Sequence, residues 1–550
     1  MYRALGAALV MAALTSACGG GSESNDGSGA TATSSGGGED SSSSAGSSSS
    51  AAAAFLVTSY GAKCDGSTDD TAAIQKTLDA PSAASGTVSF PQGTCMIGAI
   101  YVGSNTTVQI DTGVTLKAIQ AATWWDITTT LASGATTGLL SDGTTHYPQV
   151  PVRVQGVEMN WASAIVNVRN ASNVTIKGGG TIDGNGQSWW THYYGAGTTN
   201  HTAENVTWAL NYDEQRPRTL ELYNASGVNV SGVTLKNSPF WTFHICYSDT
   251  ITVDGVTVYN MPTATTGKMP STDGIDIDSS TNVEVMNSDI TANDDTFVIK
   301  SGRDGDGLRV NKASAYIKIH DSIVRAGAAA FTIGSETSGG AHDIEVYNIH
   351  VIPATALINS NIGYKTGGPA VYNGFVFKTA PTRGGTMENV NIHDIVIDDA
   401  YYFLTCSGAW GSTNAIPTTF STTYLKPDYW PAIMLAPTST EAGYATYKNF
   451  TFKNITMAHV ESSVFSVAGS TLTDSTGAAE TEKGRYTNFT FDNVNITATQ
   501  STGVAVSGGS IANAGYWTFT NSTIVNAAGA AVVPTLSTAT TNNMTGLSGW

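Results

Sequence analysis

The stretch Gly227-Val228-Asn229-Val230-Ser231-Gly232-Val233-Thr234-Leu235 decides the fold of this chain. Apolar and polar residues alternate in it, which predicts a strand with one buried and one solvated face, and a second short strand follows the glycine. The same phrase returns many times. Its returns include Asn173–Ile176, Thr250–Val253, Asn282–Val285, Tyr316–Ile319, Asp343–Val346, Asn389–Ile392, Asn449–Phe452 and Asn488–Phe491.

The spacing of these returns, roughly 23 to 35 residues, is typical of stacked-repeat folds. Irregular repeats favour a parallel β-helix over a propeller, and the closely spaced hairpin turns of a β-sandwich are missing. We therefore predict an all-β chain that forms a single-stranded, right-handed parallel β-helix of the pectin lyase type. A helix over Asp69 to Leu78 is expected to cap its N-terminal end, and coils near Trp517-Thr518-Phe519 its C-terminal end.

The charge of the chain excludes one class of function. The formal net charge is -18, with 25 Lys and Arg against 43 Asp and Glu. A nucleic-acid-binding protein needs a basic face, so no nucleic-acid partner is expected. A polyanionic substrate would have to meet local cations, because the field of the whole molecule would repel it.

The N-terminus predicts export. Arg3 precedes an apolar run from Ala4 to Leu14, and small residues lead to Cys18. This resembles a bacterial lipoprotein signal in which Cys18 is lipidated, and ordinary cleavage with Cys18 incidental is the alternative. Residues 1–18 are then a signal peptide and residues 19–54 a Ser/Gly-rich disordered linker, followed by a β-helix catalytic domain over residues 55–550. The expected location is the outer membrane, as an anchored lipoprotein, or the periplasm or extracellular space.

The remaining cysteines fit no metal-ligand spacing. Cys64 and Cys95 both fall in the first coils and could form a disulfide in an oxidising compartment. Cys246 and Cys406 are expected to be buried apolar residues.

Two acidic segments contain the candidate catalytic residues. Ser271-Thr272-Asp273-Gly274-Ile275-Asp276 is followed about one coil later by a phrase that contains Asp294 and Asp295. Residues one coil apart lie on neighbouring strands, about 4.8 Å from each other, so Asp273 is predicted to lie beside Asp294 and Asp295. Paired carboxylates flanking a bond perform glycoside hydrolysis. Turn-forming acids and a calcium site are the two alternatives.

A set of phrases between residues 55 and 400 points to one family. The phrases are the entry segment Phe55 to Leu78, Gly180–Gly186, Trp189-Trp190, Arg216–Arg218, Asn237–His244, Asn293–Gly307, Gly334–Gly340, Lys378-Thr379 and Arg383–Gly385. Together they resemble glycoside hydrolase family 28, the polygalacturonases. The phrase Ile299–Asp304 resembles the exo-acting bacterial and plant branch in particular.

The resemblance implies roles for the acids. Asp294 would be the general acid, and Asp273 and Asp295 would hold the attacking water. Asp276 is assigned a structural role at the turn. The resemblance implies hydrolysis with inversion and neither a cofactor nor a metal.

Two positions depart from the family pattern. The family has Gly-His-Gly one coil after the acids, and Ala328 stands here at the position of the His. The family then has Arg-Ile-Lys, and here Val376 replaces the Arg while Lys378 remains. An ammonium alone lacks the planar fork that grips a carboxylate, so the departures affect the substrate more than the reaction type. Rhamnogalacturonan or a substituted galacturonan becomes a stronger candidate than plain homogalacturonan.

Further residues are candidates for substrate binding. Aromatic candidates for stacking on sugars are Trp241, His244, Trp189, Trp190, Tyr193 and Tyr194, and candidates for meeting an anionic sugar are Lys378, Lys300 and Arg303. Packing of the aromatic residues and charge balance against the acids are the alternatives. Tyr364-Lys365, in the inserted segment Ser360 to Ala370, could rebuild the site from elsewhere in the chain.

Two other functions stay open at this point. A polysaccharide lyase on the same fold would need calcium and a basic residue near the cleft. A β-helix with a degenerate site would bind glycan without cleaving it. The expected partner is a pectic polysaccharide or oligosaccharide, met by a monomer that touches a membrane only through an N-terminal lipid.

Overall fold

The computed structural model describes most of the predicted β-helix. The described residues are 54–80, 85–120, 146–193, 216–261, 269–352, 369, 371–381, 383–410, 444–470, 486–537 and 544–547. The predicted signal peptide and nearly all of the linker lie outside them. Within the described ranges, no helix is both long and apolar enough to cross a membrane.

Helices are short and few in these ranges. They are a 3-10 helix over Val57–Tyr60, α1 Thr71–Leu78, α2 Gln187–Tyr193 and α3 Asp304–Val310. The N-terminal strands are β1 Ala54–Leu56, β2 Asp65–Asp69, β3 Thr87–Ser89, β4 Gly93–Ile97, β5 Ile100–Tyr101, β6 Thr107–Gln109, β7 Val114–Ala118, β8 Gln149–Val154, β9 Val157–Ala162, β10 Val166–Arg169, β11 Thr175–Lys177 and β12 Thr181–Asp183.

Strands continue through the rest of the chain. The middle strands are β13 Leu220–Tyr223, β14 Ser226–Ser231, β15 Thr234–Lys236, β16 Phe243–Cys246, β17 Asp249–Asp254, β18 Thr257–Tyr259, β19 Ile275–Asp278, β20 Thr281–Met286, β21 Asp289–Thr291, β22 Phe297–Lys300, β23 Ser314–Ile333, β24 Ala341–Val351 and β25 Val371–Lys378. The last are β26 Thr386–Ser407, β27 Thr446–Ala468, β28 Tyr486–Thr497, β29 Ser507–Ala512, β30 Ala514–Gly515, β31 Thr518–Thr520, β32 Thr523–Val525 and β33 Thr535–Leu536.

Parallel pairing joins each strand to the strand one coil later. The pairs β13–β16, β16–β19 and β19–β22 illustrate this, and two further parallel ladders run beside them, such as β14–β17–β20 and β15–β18–β21. The predicted right-handed parallel β-helix is confirmed. The ladder through β10, β13, β16, β19, β22, residues 327–333 of β23, β25, residues 400–407 of β26 and residues 463–468 of β27 is called the cleft sheet below.

The asparagine that opens many repeats has a physical reason. Asn173 and Asn105 both have a left-handed backbone, with φ of 57° and 61°, a conformation that Asn tolerates better than most residues. The Asn173 side chain donates a hydrogen bond to the Asn105 side chain of the coil before it, at 3.1 Å. Stacked amides of this kind hold successive corners in register.

Along each strand of the cleft sheet, side chains alternate between the buried core and the outer face. In the cleft sheet, Leu220, Phe243, Ile275 and Phe297 lie in one register row and point into the fully buried core. Near the C-terminal end the core becomes aromatic, and Trp517 stacks on Phe489 at 5.1 Å. The residues between the inward ones face outward and supply the candidate site.

The structure differs from the sequence predictions in two details. The first helix begins at Thr71 rather than Asp69, because the Asp70 carboxylate instead accepts backbone hydrogen bonds from Lys63 and Cys64. An antiparallel hairpin, β8–β9, interrupts the coils, although we expected no hairpin.

The cysteine predictions fit the structure. Cys64 and Cys95 are joined in a disulfide between the first coils. Cys246 and Cys406 are free thiols and fully buried.

Candidate active site

Three carboxylates converge on the outer side of the cleft sheet. One carboxylate oxygen from each of Asp273, Asp294 and Asp295, called the acid trio below, lies within 4.8 Å of the others. Asp273 precedes β19 and the other two precede β22, so the one-coil spacing read from the sequence brings them together. The arrangement would also suit a hard cation, so the calcium alternative stays open beside the prediction of a site without a metal.

Backbone hydrogen bonds between coils fix these acids. The Asp273 carbonyl accepts a bond from the Thr242 N–H at 3.0 Å, and the Asp295 carbonyl accepts one from the Gly274 N–H at 2.9 Å. Position 274 must be glycine, because a Cβ there would lie 2.4 Å from the Thr296 carbonyl oxygen. The acids are therefore held by the ladder itself and not by a free loop.

Two lysines balance the negative charge. Lys378 donates to an Asp295 carboxylate oxygen at 2.6 Å, and its ammonium lies 4.9 Å from the ring centre of the exposed Trp410. Lys300 lies 3.8 Å from Asp273 and 3.3 Å from Glu336. Both lysines are at least nine-tenths buried, so charge balance describes their present contacts.

Burial favours the protonated form of two members of the trio, Asp273 and Asp294. It raises the pKa of Asp273 well above its usual value, and the negative charges of Asp276 and Asp294 add to the effect. Burial and the neighbouring Asp295 also raise the pKa of Asp294 to about 6, although Lys378 opposes this. Because like charges this close do not all ionise together, the cluster keeps an acidic proton at mildly acidic pH.

The prediction for Asp276 was wrong in its location. Asp276 is not at a turn but on β19, fully buried, with its carboxylate 3.6 Å from the Lys300 ammonium. Burial raises its pKa to about 6, while Lys300 and His244 act in the opposite direction. The residue belongs to the charged layer behind the trio.

Trp241 and His244 are placed beside the trio but are buried. His244 is 0% exposed and lies 3.5 Å from both Glu221 and Asp278. The Trp241 ring is 3% exposed, stacks on Phe240 and has the Lys300 ammonium 4.8 Å from its centre. These contacts are those of residues that support the acids. Neither ring has an exposed face on which a sugar could stack.

Arg303, Trp189 and Trp190 are the remaining predicted binding residues whose side chains the structure describes. Arg303 is buried and donates to Asp304 at 2.9 Å, and the same carboxylate also receives Arg383 at 3.1 Å. Trp189 and Trp190 are buried on α2. The side chain of Tyr193, the whole of Tyr194 and the pair Tyr364-Lys365 lie outside the described residues.

Ala328 and Val376, the two departures from the family pattern, both lie on the cleft sheet. The Ala328 N–H donates to the Asp294 carbonyl at 2.8 Å, so this coil touches the trio through its backbone. Val376 is buried on β25 in register with Thr332 and Thr405. The neighbouring Asn373 side chain bonds to the Ala328 carbonyl at 2.9 Å.

A buried ionic layer on the N-terminal side of the trio was not predicted. The hairpin β8–β9, called the cleft hairpin below, places Arg153 against Asp278 at 2.8 Å. Both side chains are 0% exposed. Burial would raise the pKa of Asp278, but Arg153 and His244 lower it below its usual value.

The cleft hairpin reaches the trio's own neighbours. Its Gly156 carbonyl accepts the Arg303 N–H at 2.9 Å, and a Cβ on Gly156 would lie 2.7 Å from the Glu336 side chain. Glu336 lies in the Gly334–Gly340 phrase, and the family resemblance of that phrase gave it no role of its own. The alternation of Val150, Val152 and Val154 was the one sequence signal for this hairpin.

Comparison with known proteins agrees with this geometry. A model of "Glycosyl hydrolases family 28" matches residues 87–419, which is more than half of the chain. The chain belongs to this family.

Relatives and solved structures of family 28 are similar in sequence and fold. A probable polygalacturonase of Vitis vinifera is 25% identical over 65% of this chain, and the match spans 63% of that relative. An exopolygalacturonase from Thermotoga maritima superposes with a TM-score of 0.61 at 20% identity, covering 86% of this chain and 92% of the other. A family 28 exopolygalacturonase of Yersinia enterocolitica gives 0.61 at 18%, covering 89% and 78%. At these identities the structures support the fold alone.

Proposed function

We propose that this chain is a pectin-degrading glycoside hydrolase that cleaves an α-linked, galacturonic-acid-containing glycan. The observation that carries the proposal is the acid trio, with oxygens within 4.8 Å and an Asp294 pKa of about 6, on a family 28 β-helix. The relative in Vitis vinifera, named a probable polygalacturonase, supports the substrate class.

The proposed roles are those that the family resemblance implies, and the raised pKa of Asp294 supports its role as the acid. Asp294, with its raised pKa, donates its proton to the glycosidic oxygen as the bond from that oxygen to the anomeric carbon breaks. Asp273 and Asp295 hold a water that attacks the anomeric carbon and loses its proton to one of them. Lys378 lies 2.6 Å from an Asp295 carboxylate oxygen, and we propose Asp295 as the residue that accepts the proton.

Inversion is the outcome that we propose, as the family resemblance implies. An inverting mechanism needs the acid and the base to be far enough apart to admit the attacking water. Proton NMR of the first product distinguishes inversion from retention: a β-anomer from an α-linked substrate supports inversion, and an α-anomer overturns it.

The cleft hairpin supports an exo mode of action. Its Arg153 pairs with Asp278 at 2.8 Å, on the side of the trio where Glu221, His244 and Asp278 are at most 1% exposed. A polymer lying along the cleft sheet would meet this hairpin directly beside the trio. We therefore propose that one end of the substrate stops there and that the enzyme acts on chain ends.

The mode of action has its own readout. A time course on a polymeric pectic fraction should release one short product from the start, with slow loss of viscosity. A ladder of intermediate lengths with rapid loss of viscosity would contradict the exo proposal and leave the hydrolase proposal intact.

Two rival functions have decisive measurements. A polysaccharide lyase would lose activity in chelator and form unsaturated products that absorb in the ultraviolet, whereas the hydrolase does neither. A non-catalytic glycan-binding β-helix would release no reducing ends and would not change on Asp294→Asn. A screen of rhamnogalacturonan, substituted galacturonan and homogalacturonan in the same assays identifies the preferred fraction.

The N-terminal segments remain part of the proposal. We propose that residues 1–18 direct export and that Cys18 is lipidated ahead of the linker 19–54, with the catalytic domain over residues 55–550. Labelling with a radioactive fatty acid should mark the wild-type protein and not a Cys18→Ala variant. Equal labelling of both would contradict lipidation at Cys18.

A further inference from the structure

Three tyrosines lie on the cleft sheet on the C-terminal side of the acid trio. Gly327 pairs with Val371 and Val371 with Ala400, which puts Tyr372 and Tyr401 in one register row with Ala328. The Ala328 N–H bonds to the Asp294 carbonyl, so this row continues directly from the general acid. With strands about 4.8 Å apart, Tyr372 lies two strands, or about 10 Å, from the Asp294 position along the axis.

The tyrosines form a partly open aromatic surface. The Tyr372 ring centre lies 4.9 Å from that of Tyr401 and 5.4 Å from that of Tyr402. All three side chains are half-buried, unlike the fully covered outward residues on the other side of the trio. Tyrosine joins a broad apolar face to a hydroxyl, a combination that suits a pyranose ring and its hydroxyl groups. These residues are called the tyrosine cluster below.

The electrostatic surroundings of the cluster disfavour a carboxylate. β25 and the cleft-sheet parts of β26 and β27 contain one cationic residue, Lys378, and it is bonded to Asp295. On the far side, burial and the carboxylates of Glu461 and Asp399 raise the pKa of Tyr401. On the described parts of these strands, a sugar with a free carboxylate would meet like charge and no unpaired cation.

We propose that the tyrosine cluster is a binding subsite for an uncharged sugar of the glycan, either a methyl-esterified galacturonate or a neutral sugar such as a 6-deoxyhexose. The proposal rests on the hydrolase function and names its substrate class more closely. Stacking on the rings provides affinity, and the neighbouring acids exclude the free galacturonate. Val376, a buried aliphatic residue in the same strand, places no second cation at its own position.

Calorimetric titration tests the subsite on full-length Asp294→Asn protein, which holds substrate without cleaving it. The probes are three oligosaccharides of equal length: a galacturonide, its fully methyl-esterified form and an alternating rhamnose–galacturonate chain. Removing one aromatic ring from beneath a sugar lowers the affinity about 3- to 10-fold. Tyr372→Ala should weaken the uncharged or alternating probe by that factor and leave the free galacturonide within about twofold. Which of the two probes responds identifies the source of the neutral ring.

Matched variants keep the outcome interpretable. Tyr372→Phe retains the ring and should bind within about twofold of the parent, and Tyr401→Ala should repeat the reduction in affinity. Tyr347→Ala, which removes a tyrosine stacked between His320 and His393 in a different sheet, should change no affinity. Tighter binding of the free galacturonide, or an equal reduction for all probes on Tyr372→Ala, would overturn the inference.

The two proposals fail in distinguishable ways. If the wild-type protein cleaves pectic oligosaccharides but the tyrosine variants show no difference between charged and uncharged probes, only the subsite is wrong. If the wild-type protein cleaves none of the three probes and no pectic fraction, the hydrolase function itself fails.

Discussion

The outward-facing residues of the two halves of the cleft sheet differ in charge and in exposure to solvent. On the N-terminal side of the trio, Glu221, His244 and Asp278 are charged or titratable and at most 1% exposed under the cleft hairpin. On the C-terminal side, the tyrosine cluster is uncharged and partly open. The same ladder therefore ends as a closed ionic layer on one side and as an aromatic surface on the other.

The difference teaches where specificity resides in this fold. Buried charges must be paired, so the N-terminal half is fixed in geometry and contributes to positioning of the acids. The tyrosine cluster in the C-terminal half is uncharged and partly exposed, so its chemistry can vary without leaving a buried charge unpaired. The acid trio lies at the boundary between the two halves.

Removing the proton donor at this boundary should have the largest effect. Asp294→Asn is expected to lower kcat roughly 100- to 10,000-fold while substrate affinity changes little, because the amide cannot donate the proton. Release of reducing ends and calorimetric titration measure the two quantities. Asp343→Asn is the matched control, since this exposed residue has a φ of 55°, which Asn also adopts. Full activity of Asp294→Asn would refute the assignment.

Removing Arg153, which pairs with the buried Asp278 in the N-terminal half, should have the next largest effect. Arg153→Met leaves the Asp278 carboxylate buried without its partner and should cost about 3–5 kcal/mol of unfolding free energy. The surface pair of Arg325 and Asp289 provides the contrast, and Arg325→Met should cost about 0–1 kcal/mol. Denaturant unfolding measures both. Equal losses of stability would show that the covered layer is no different from an exposed one.

The pH profile tests the proton held at the boundary. Because Asp294 must be protonated to act and its pKa is about 6, activity should fall as pH rises through about 6, by roughly tenfold per unit beyond it. Initial rates at fixed ionic strength from about pH 4 to pH 8 measure this fall. A rate that stays constant across the upper half of that range would contradict the role of Asp294.

The smallest effect is expected from removing Lys378, the lysine of the C-terminal half that lies beside the trio. Lys378 lowers the pKa of Asp294, so Lys378→Met should raise that pKa and move the alkaline limb of the profile to higher pH by about one unit. Rates normalised to each variant's maximum show the shift. Lys448→Met, which removes a surface lysine paired with Glu388, should not move the limb. A shift to lower pH would mean that another group controls the profile.

Much of the fold and the trio could be predicted because both depend on short-range periodicity. The alternation in Val228–Val230 predicts which side chains face inward. The spacing of about one coil between Asp273 and Asp294 predicts that these two acids lie close together. Asp276 shows where this stops. It was expected at a turn but lies on β19, and its complete burial follows from the residues packed against it.

The sequence by itself determined the coil, the family and the convergence of the acids, since each is encoded within a single repeat or between two successive ones. Only the tertiary structure decided which half of the cleft is covered. That outcome depends on the cleft hairpin folding back from residues 149–162 to pair Arg153 with Asp278, 125 residues away. Such a pair forms because charge pairing between distant segments offsets the cost of burying both charges, and local periodicity does not record which distant segments meet.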